Sequence, residues 1–285
     1  MLRSALRLPS ARIAVGILVV IAVLALFGPL LAPLDPLAQN SKEILQGPTA
    51  EHWLGTDGLG RDVLSRLLAG STVSVLAALQ SVVVGLALGA LPGLLSVYLG
   101  RAFEWVTLRL MDSFITLPFL VFAIAMTALL GNGLTQAMIA VGILIAPAFY
   151  RVTRAAALAV SHSPYVEAAQ LLGASTSWVV RKHVWRKVLP AVAVTTAGMT
   201  GASLVIVASL TFLGIGIVPP EPTWGGLLAT DLANLYQRPF GPVVPALVII
   251  GTVWALNALA DALKDSGGVA APVAKKTRRE LSHAA

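Results

Sequence analysis

The sequence predicts an all-α polytopic membrane protein with six transmembrane helices and one short helix outside the membrane. Hydrophobic residues make up 57% of the 285-residue chain and charged residues 12%, against roughly 25% charged residues in soluble domains. Five uncharged stretches each exceed the roughly 20 apolar residues that a membrane-spanning helix needs. They are 13–34, 67–100, 113–150, 188–220 and 239–260.

The stretch 113–150 is too long for one helix, and the turn signal Gly131-Asn132-Gly133 divides it into two. The predicted spans are therefore 13–33, 72–99, 113–130, 134–150, 190–215 and 243–260. A signal peptide is the alternative for the first span, but its apolar run is longer than the ~7–15 residues of such a segment.

The polar connections between the spans define the predicted domain organisation. A cytoplasmic lead occupies 1–12, an external segment 34–71 and a long cytoplasmic loop 151–189. A polar tail at 263–285 has the composition of a disordered segment. The last five spans, with the loops between them, form the predicted transmembrane core at 72–262.

The second half of the external segment has the pattern of an amphipathic helix on the outer surface before the second span. Asp62 and Arg66 share one face, and the opposite face is apolar. The apolar face consists of Leu59, Val63, Leu64, Leu67 and Leu68. A second external segment, 214–242, is rich in Pro and Gly and is expected to be helical around 224–236. The sequence leaves open whether it lines the outer mouth or forms a surface loop.

The distribution of basic residues predicts the orientation in the membrane. Six spans place both termini on one side. Of the 20 Lys and Arg residues, four fall on the other side: Lys42, Arg61, Arg66 and Arg238. The positive-inside rule then makes both termini cytoplasmic. The net charge of +7 therefore reflects orientation, and no soluble basic face with aromatic residues suggests a nucleic-acid partner.

The residues of the predicted spans argue against catalysis and ion coupling within this chain. There is no cysteine, and no Asp, Glu, Lys, Arg or His lies in the interior of a predicted span. Ion-coupled carriers place such groups at mid-membrane. The glycine-rich segment 55–61 lacks the Lys and Ser/Thr of a phosphate-binding loop. We therefore expect no catalytic residue, metal site or cofactor in the chain itself, and an energy source outside the membrane domain.

Small and neutral polar residues within the spans are expected to pack helices together. Gly85, Gly89 and Gly93 recur at four-residue spacing, which allows close helix approach; packing within this chain is favoured over contact with another subunit. Neutral polar side chains are expected to form hydrogen bonds between helices. They are Gln80, Gln136, Thr195, Thr196, Thr200, Ser203, Ser209, Thr211 and Asn257.

The sequence PYVEAAQLLGAS, residues 164–175, predicts a short half-polar helix in the long cytoplasmic loop. Ser163 is a candidate N-cap and Pro164 suits the first turn. The helix should cover Tyr165 to Leu172 and end at Gly173. Two isolated turns are marginal in water, so the helix must pack against either a cytoplasmic partner or its own bundle. A second helix at about 177–188 should end at Leu189-Pro190, where the fifth span begins.

The string EAAQLLGAS resembles the EAA loop of importer-type ATP-binding-cassette permeases, with Glu167, Ala168, Ala169 and Gly173 at the matching positions. In that family the loop is a coupling helix that docks in a groove of the ATPase subunit. The resemblance implies an ATPase-coupling role for the whole segment. Its residues are Ser163, Pro164, Tyr165, Glu167, Ala168, Ala169, Leu172, Gly173 and Ala174.

Three further segments resemble the C-type permease subunit of dipeptide, oligopeptide and nickel importers. They are HWLGTDGLGRDVLSRLLAGSTVSV, EPTWGGLL and NALADALKDSG. One departure is Trp185-Arg186, which stands where the family usually has Leu-Pro and leaves the shape of the second loop helix open.

The resemblance implies a multi-pass permease in a bacterial cytoplasmic (inner) membrane. Its implied partners are a homologous permease subunit, two ATPase subunits that bind ATP and Mg, a substrate-binding protein and membrane lipid. The implied solute is a dipeptide or oligopeptide, with a nickel chelate or other small solute as the alternative. A self-contained secondary carrier fits less well, because the spans lack charge and the chain shows no internal repeat.

Overall fold

The structure is a computed structural model and describes residues 6, 8–131, 133–217 and 220–266. These residues form helices joined by turns and loops, as the predicted all-α class requires. The helices are α1 (Pro9–Leu31), α2 (Val63–Leu95), α3 (Arg101–Thr116), α4 (Phe119–Leu130), α5 (Leu134–Ser161), α6 (Pro164–Leu171), α7 (Thr176–Val179), α8 (Trp185–Phe212), α9 (Trp224–Ala233) and α10 (Val243–Ser266), with a π-helical turn at Val180–Val184. The predicted tail from 267 onward lies outside the described residues.

Within the described part of the chain, five helical segments are long and apolar enough to cross a membrane. They are Pro9–Leu31, Val63–Leu95, Leu134–Ser161, Thr176–Phe212 and Val243–Ser266. The bent pair of α3 and α4 is a sixth if it is counted as one span. The predicted set of six apolar spans is therefore present, although several boundaries differ from the prediction.

The predicted amphipathic helix on the outer surface is wrong as a separate element. Val63 begins α2, and that helix continues without a break to Leu95. Asp62 is its N-cap and accepts a hydrogen bond from Ser65 N at 2.7 Å. Arg66 and Leu67 are both buried. The polar face that suggested contact with water is instead covered by the chain's own loops.

The third predicted span, 113–130, is also wrong as a single helix. The pair α3 and α4 bends by 102° at Leu117-Pro118. Proline disfavours a helical conformation in the residue before it, and Leu117 is extended, with φ −75° and ψ 131°. The α3 helix packs on α5: Thr107 Oγ1 lies 2.8 Å from Tyr150 Oη, and Arg154 pairs with Glu104.

The predicted break at Leu189-Pro190 does not occur, because α8 runs through Pro190 to Phe212. The second loop helix of the prediction is divided instead into α7, a π-helical turn and the first residues of α8. Trp185 and Arg186, which depart from the family pattern, lie in that first turn of α8. The fourth predicted span likewise continues past 150, since α5 ends at Ser161.

The glycine stripe packs α2 against α5, as favoured from the sequence. A Cβ atom built on Gly89 would lie 2.8 Å from Phe149 Cβ, and one on Gly93 would lie 3.1 Å from Tyr150 Cα. Gly85 faces Gly142 and Ile145 in the same way. Side chains at these positions would push the helices apart, so glycine sets the distance between them.

The expected hydrogen bonds between helices form for some of the neutral polar residues and not for others. Ser203 of α8 bonds to Ser81 and, at 3.2 Å, to Ala78 O of α2. Gln80 Nε2 donates to Thr135 O of α5. Most of the other hydroxyls bond to carbonyls of their own helix three or four residues earlier. These are Thr195, Thr196, Thr200, Ser209 and Thr211.

The loops 34–62 and 220–242 pack together over one end of the bundle, and we call them the cap. Arg238 joins them by donating from Nη1 to Thr56 O at 2.9 Å and from Nη2 to Leu54 O at 2.6 Å. Trp224 at the start of α9 is fully buried, and its Nε1 donates to Leu67 O of α2 at 3.2 Å. The cap is therefore fixed to the helices beneath it.

Candidate functional site

The short helix predicted from PYVEAAQLLGAS is α6, Pro164–Leu171. It lies at the opposite end of the bundle from the cap, between the ends of α5 and α7. Ser163 occupies the N-cap position with extended backbone angles, φ −80° and ψ 143°. Its Oγ does not accept a helix hydrogen bond; it donates to Val160 O at 2.6 Å. The predicted side-chain cap is thus wrong, although the predicted start of the helix is correct within a residue.

The end of α6 is a Schellman motif centred on Gly173. Ala174 N donates to Ala169 O at 3.0 Å, and Gly173 N donates to Gln170 O at 2.9 Å. Gly173 has φ +88°, a left-handed conformation that costs other L-residues about 1–2 kcal/mol. A Cβ atom there would meet nothing within 4 Å. Backbone conformation, rather than crowding, is therefore the reason for glycine at this position.

One face of α6 is anchored to the transmembrane helices through Val166, which is fully buried. Val166 belongs to an apolar cluster that joins the ends of α2, α5 and α8, which we call the anchor cluster. Ala169 and Ala174 pack at its edge. The buried members are Leu94, Ala157, Val166, Val179, Val184, Val188 and Val192. Through Val166, α6 therefore shares one apolar cluster with residues of three long helices.

Aromatic side chains join α6 to the helix that follows it. The Tyr165 ring lies 5.7 Å from the His183 ring, and the Trp178 ring lies 5.2 Å from His183 in an edge-on arrangement. Near them, the Tyr98 hydroxyl is buried without a hydrogen-bond partner among the described residues. Burial, together with the neighbouring Tyr165, raises the pKa of Tyr98. These contacts hold α6, α7 and the π-helical turn as one unit.

The opposite face of α6 is apolar and exposed. Leu171 and Leu172 each expose 89% of their surface, and Tyr165 exposes 45%. Glu167 and Ala168 are also exposed. Soluble surfaces rarely carry adjacent apolar side chains that are this open, and such patches mark interaction sites. The basic residues Arg181, Lys182, Arg186 and Lys187 surround this region, and all four are exposed.

The structure therefore places the predicted coupling residues in one continuous segment, but it divides them between two faces. Ala169 and Ala174 face the anchor cluster, whereas Tyr165, Glu167, Ala168 and Leu172 are exposed. Val166 and His183 have clear structural roles but were not among the predicted coupling residues. The i, i+3 spacing of Val166 and Ala169 could have identified the buried face. No local pattern could have identified His183 as the contact between Tyr165 and Trp178.

Sequence comparison identifies the family. Residues 81–266 match the family described as "binding-protein-dependent transport system inner membrane component". Residues 1–48 match the "N-terminal TM domain of oligopeptide transport permease C". This chain belongs to the binding-protein-dependent permease family. Its N-terminal match places it with the oligopeptide-type C permeases, as the resemblance implied.

Curated relatives support the same assignment over nearly the whole chain. A glutathione transport system permease protein of Escherichia coli O1:K1 is 36% identical over 251 residues, covering 87% of this chain and 82% of the relative. The corresponding protein of Pectobacterium atrosepticum is 34% identical over 258 residues, covering 89% of this chain and 85% of the relative. The chain is thus the membrane-spanning permease subunit of an ATP-binding-cassette importer.

A solved structure shows the same fold. A chain of the MetNI methionine ABC transporter superposes with a TM-score of 0.58. The match covers 70% of this permease and 94% of that chain at 16% identity. At that identity the likeness establishes the fold of the permease core and nothing about its solute.

Proposed function

We propose that this permease imports peptide-like solutes and that residues 163–174 transmit the movement of an ATPase to the membrane helices. The relatives named above are glutathione permeases, and glutathione is a tripeptide. The match of residues 1–48 to oligopeptide permeases supports the same solute class. Dipeptides and oligopeptides are the nearest chemical relatives of glutathione, and a nickel chelate is the alternative cargo.

The working importer in this proposal contains four further subunits. A homologous permease completes the passage, two ATPase subunits bind ATP and Mg, and a substrate-binding protein delivers the solute from outside. The permease lies in the bacterial cytoplasmic membrane with both termini inside. The concentration of Lys and Arg at the α6 end supports this orientation through the positive-inside rule. The cap then faces the extracytoplasmic side.

The observation that carries the coupling proposal is the division of α6 into a buried face and an exposed face. Val166 is held in the anchor cluster, while Leu171 and Leu172 are open. An ATPase groove that covers the two leucines can push on α6 as a rigid piece. The anchor cluster then passes the displacement to α2, α5 and α8, and the bundle switches between two packed arrangements.

Reconstitution tests this function directly. The complete importer in proteoliposomes, with its binding protein outside and ATP inside, should accumulate labelled glutathione or a labelled dipeptide. Vesicles with the permease alone, or with the complete importer and a non-hydrolysable ATP analogue, should not accumulate either solute. Uptake by the permease alone would contradict the proposal and would identify a self-contained carrier. Accumulation of Ni²⁺ without any peptide uptake would assign the alternative cargo.

A further inference from the structure

A cavity of about 300 Å³ lies at the cap end of the bundle, on the far side from α6. The start of α2, the end of α8 and the start of α9 form its walls. Phe212, Gly214 and Glu221 line it and are exposed, so the cavity opens to the surface. Its volume is at the lower end of the range for small-molecule sites, about 300–1,000 Å³.

Two buried guanidinium groups line this cavity. Arg61 and Arg66 are 8% and 6% exposed, and arginine is almost never buried to this extent without a partner. Arg61 Nε donates to Asp57 Oδ2 at 2.8 Å. Arg66 Nε lies 3.5 Å from the same oxygen but has no hydrogen-bond partner within the described residues. Arg66 Nη1 donates to Pro36 O at 3.0 Å.

Among the described residues, Asp57 is the carboxylate that contacts these two cations, while the nearby buried Asp231 pairs with Arg238. Asp57 Oδ2 contacts both arginines. Asp57 Oδ1 already accepts hydrogen bonds from Leu59 N and Arg61 N. Asp62 is committed elsewhere, because Oδ1 contacts His52 Nδ1 at 3.0 Å and Oδ2 accepts from Ser65 N. One carboxylate is thus shared by two buried guanidinium groups beside an open cavity. A second anion at this place would complete the pairing that buried charges require.

The mouth of the cavity carries the opposite charge. Glu221 lines it and is exposed, whereas the two arginines lie deeper. The lining also includes Thr223, Thr230 and Phe212. The cavity therefore presents two buried cations, one exposed carboxylate and some apolar surface. A peptide carries the complementary charges, a carboxylate at one end and an ammonium group at the other.

We propose that this cavity receives the carboxylate end of the solute on the extracytoplasmic side, with Arg61 and Arg66 as its carboxylate-binding residues. A guanidinium group can donate two parallel hydrogen bonds to one carboxylate, and within the described residues the hydrogen bond of the Arg66 side chain uses Nη1. Glu221 attracts the ammonium group at the mouth. The inference rests on the proposed import of peptide-like solutes and names the chemical group by which this permease selects among them.

The test compares a free carboxylate with its amide in the complete importer. ATP-driven uptake into proteoliposomes is measured for labelled glutathione and for its analogue with an amide in place of the glycine carboxylate. Every sample contains the same binding protein. Its own preference for the acid or the amide therefore cancels when the uptake ratio of a variant is compared with that of the wild type. Arg66→Lys keeps the charge and loses the two-pronged donor. We expect it to lower the ratio of acid to amide uptake about tenfold.

Glu221→Gln provides a variant that does not disturb buried charge, because Glu221 is exposed. It should lower uptake of glutathione about threefold relative to N-acetyl-glutathione, as expected for the loss of one partly exposed ion pair. Lys42→Gln and Glu51→Gln are the matched controls: both side chains are exposed in the same loop and neither lines the cavity. Both controls should keep the wild-type ratios. Copurification of the partner subunits checks assembly in each variant.

The outcomes separate this inference from the function on which it rests. If the wild type imports neither peptide, the proposed function fails and the inference fails with it. If the wild type imports glutathione but Arg66→Lys and Glu221→Gln leave both ratios unchanged, only the inference is overturned. An equal loss of acid and amide uptake in Arg66→Lys also overturns it.

Discussion

The two ends of this permease differ in the kind of side chain that they bury and the kind that they expose. At the cap, Asp57, Asp62 and Arg66 are buried; Asp57 lies against Arg66, and Asp62 contacts His52. At the α6 end, Leu171 and Leu172 are almost fully exposed, and the basic residues near them face outward. A buried charge needs a partner held at a fixed position. An exposed apolar surface is instead stabilised when a binding partner covers it. The cap is therefore a fixed element, and the α6 end has the exposed apolar surface that the proposed coupling requires.

The largest effect should come from changing the interface without changing the membrane core. Gly173→Pro requires φ near about −65° where the chain has +88°, so the Schellman motif cannot form. Glu167→Lys reverses the charge near the positive N-terminal end of α6. We expect both variants to abolish ATP-driven uptake in proteoliposomes while the amount assembled in the membrane stays near normal.

The graded variant Gly173→Ala should retain partial uptake, because it introduces strain of about 1–2 kcal/mol and no clash. Gly16→Ala is the matched control, since Gly16 also has nothing within 4 Å and lies in α1. Glu51→Lys controls for charge reversal. Normal transport by Gly173→Pro or by Glu167→Lys would refute the coupling role of this segment.

Substitutions of buried charges in the cap should lower the stability of the permease rather than its coupling to the ATPase subunits. Asp57→Asn removes the carboxylate shared by Arg61 and Arg66, and loss of one partner of a buried ion pair costs about 3–5 kcal/mol. We expect the purified permease in detergent to unfold at a clearly lower temperature. Glu51→Gln, an exposed carboxylate in the same loop, should leave the unfolding temperature unchanged. Equal unfolding temperatures for the two variants would show that the cap is not held by its ion pairs.

Two variants, one on each face of α6, separate the effect of the exposed surface from the effect of the buried surface. Leu171→Gln with Leu172→Gln changes only exposed surface, so the unfolding temperature should stay the same while copurification of the ATPase subunits is lost. Val166→Ala removes buried methyl groups from the anchor cluster and should destabilise by about 2 kcal/mol, with the ATPases still bound. Retention of the ATPases by the double leucine variant would mean that another surface carries the contact.

The smallest effect should be a pH dependence in the cap. The hydrogen bond to Asp62 raises the pKa of His52, and Glu43 adds to the effect, while burial of His52 opposes it. A raised pKa in the folded state means that this contribution is complete below the unfolded value of about 6.5 and is lost as pH rises through the folded value. The unfolding temperature should therefore fall modestly as the pH rises above about 6.5.

His52→Gln should flatten that part of the pH profile, because glutamine carries no titrating charge. His162→Gln is the matched control: His162 is exposed, and the variant should keep the wild-type slope. A wild-type slope in His52→Gln would locate the pH dependence elsewhere.

The long apolar helices and α6 were predictable, because their signals are local. Uncharged stretches predict membrane spans, and Pro164 and Gly173 mark the ends of α6. The errors arose where distant contacts override a local pattern. Asp62 and Arg66 have the pattern of a water-exposed helix face, yet His52 and Pro36 in the loop before α2 contact them. Likewise, Pro190 suggests a break, but a single proline in the first turns of α8 is accommodated within a continuous helix.

The same distinction applies to the candidate site. Glu167 and Gly173 follow from a short sequence pattern, while Val166 and His183 gain their roles from residues of other helices. The cavity at the cap could not have been predicted at all. Its two arginines are close in sequence, but the wall formed by Phe212 and Glu221 comes from residues more than a hundred positions later.

The contact of α2 with α5 through Gly85, Gly89 and Gly93 decides which parts of the bundle are free to move. Two helices whose backbones touch along three successive turns have no side chains that could slide or repack between them. We expect them to move as one body. Relative movement would then be concentrated at the contacts of this pair with α1 and α8 and at the corner between α3 and α4.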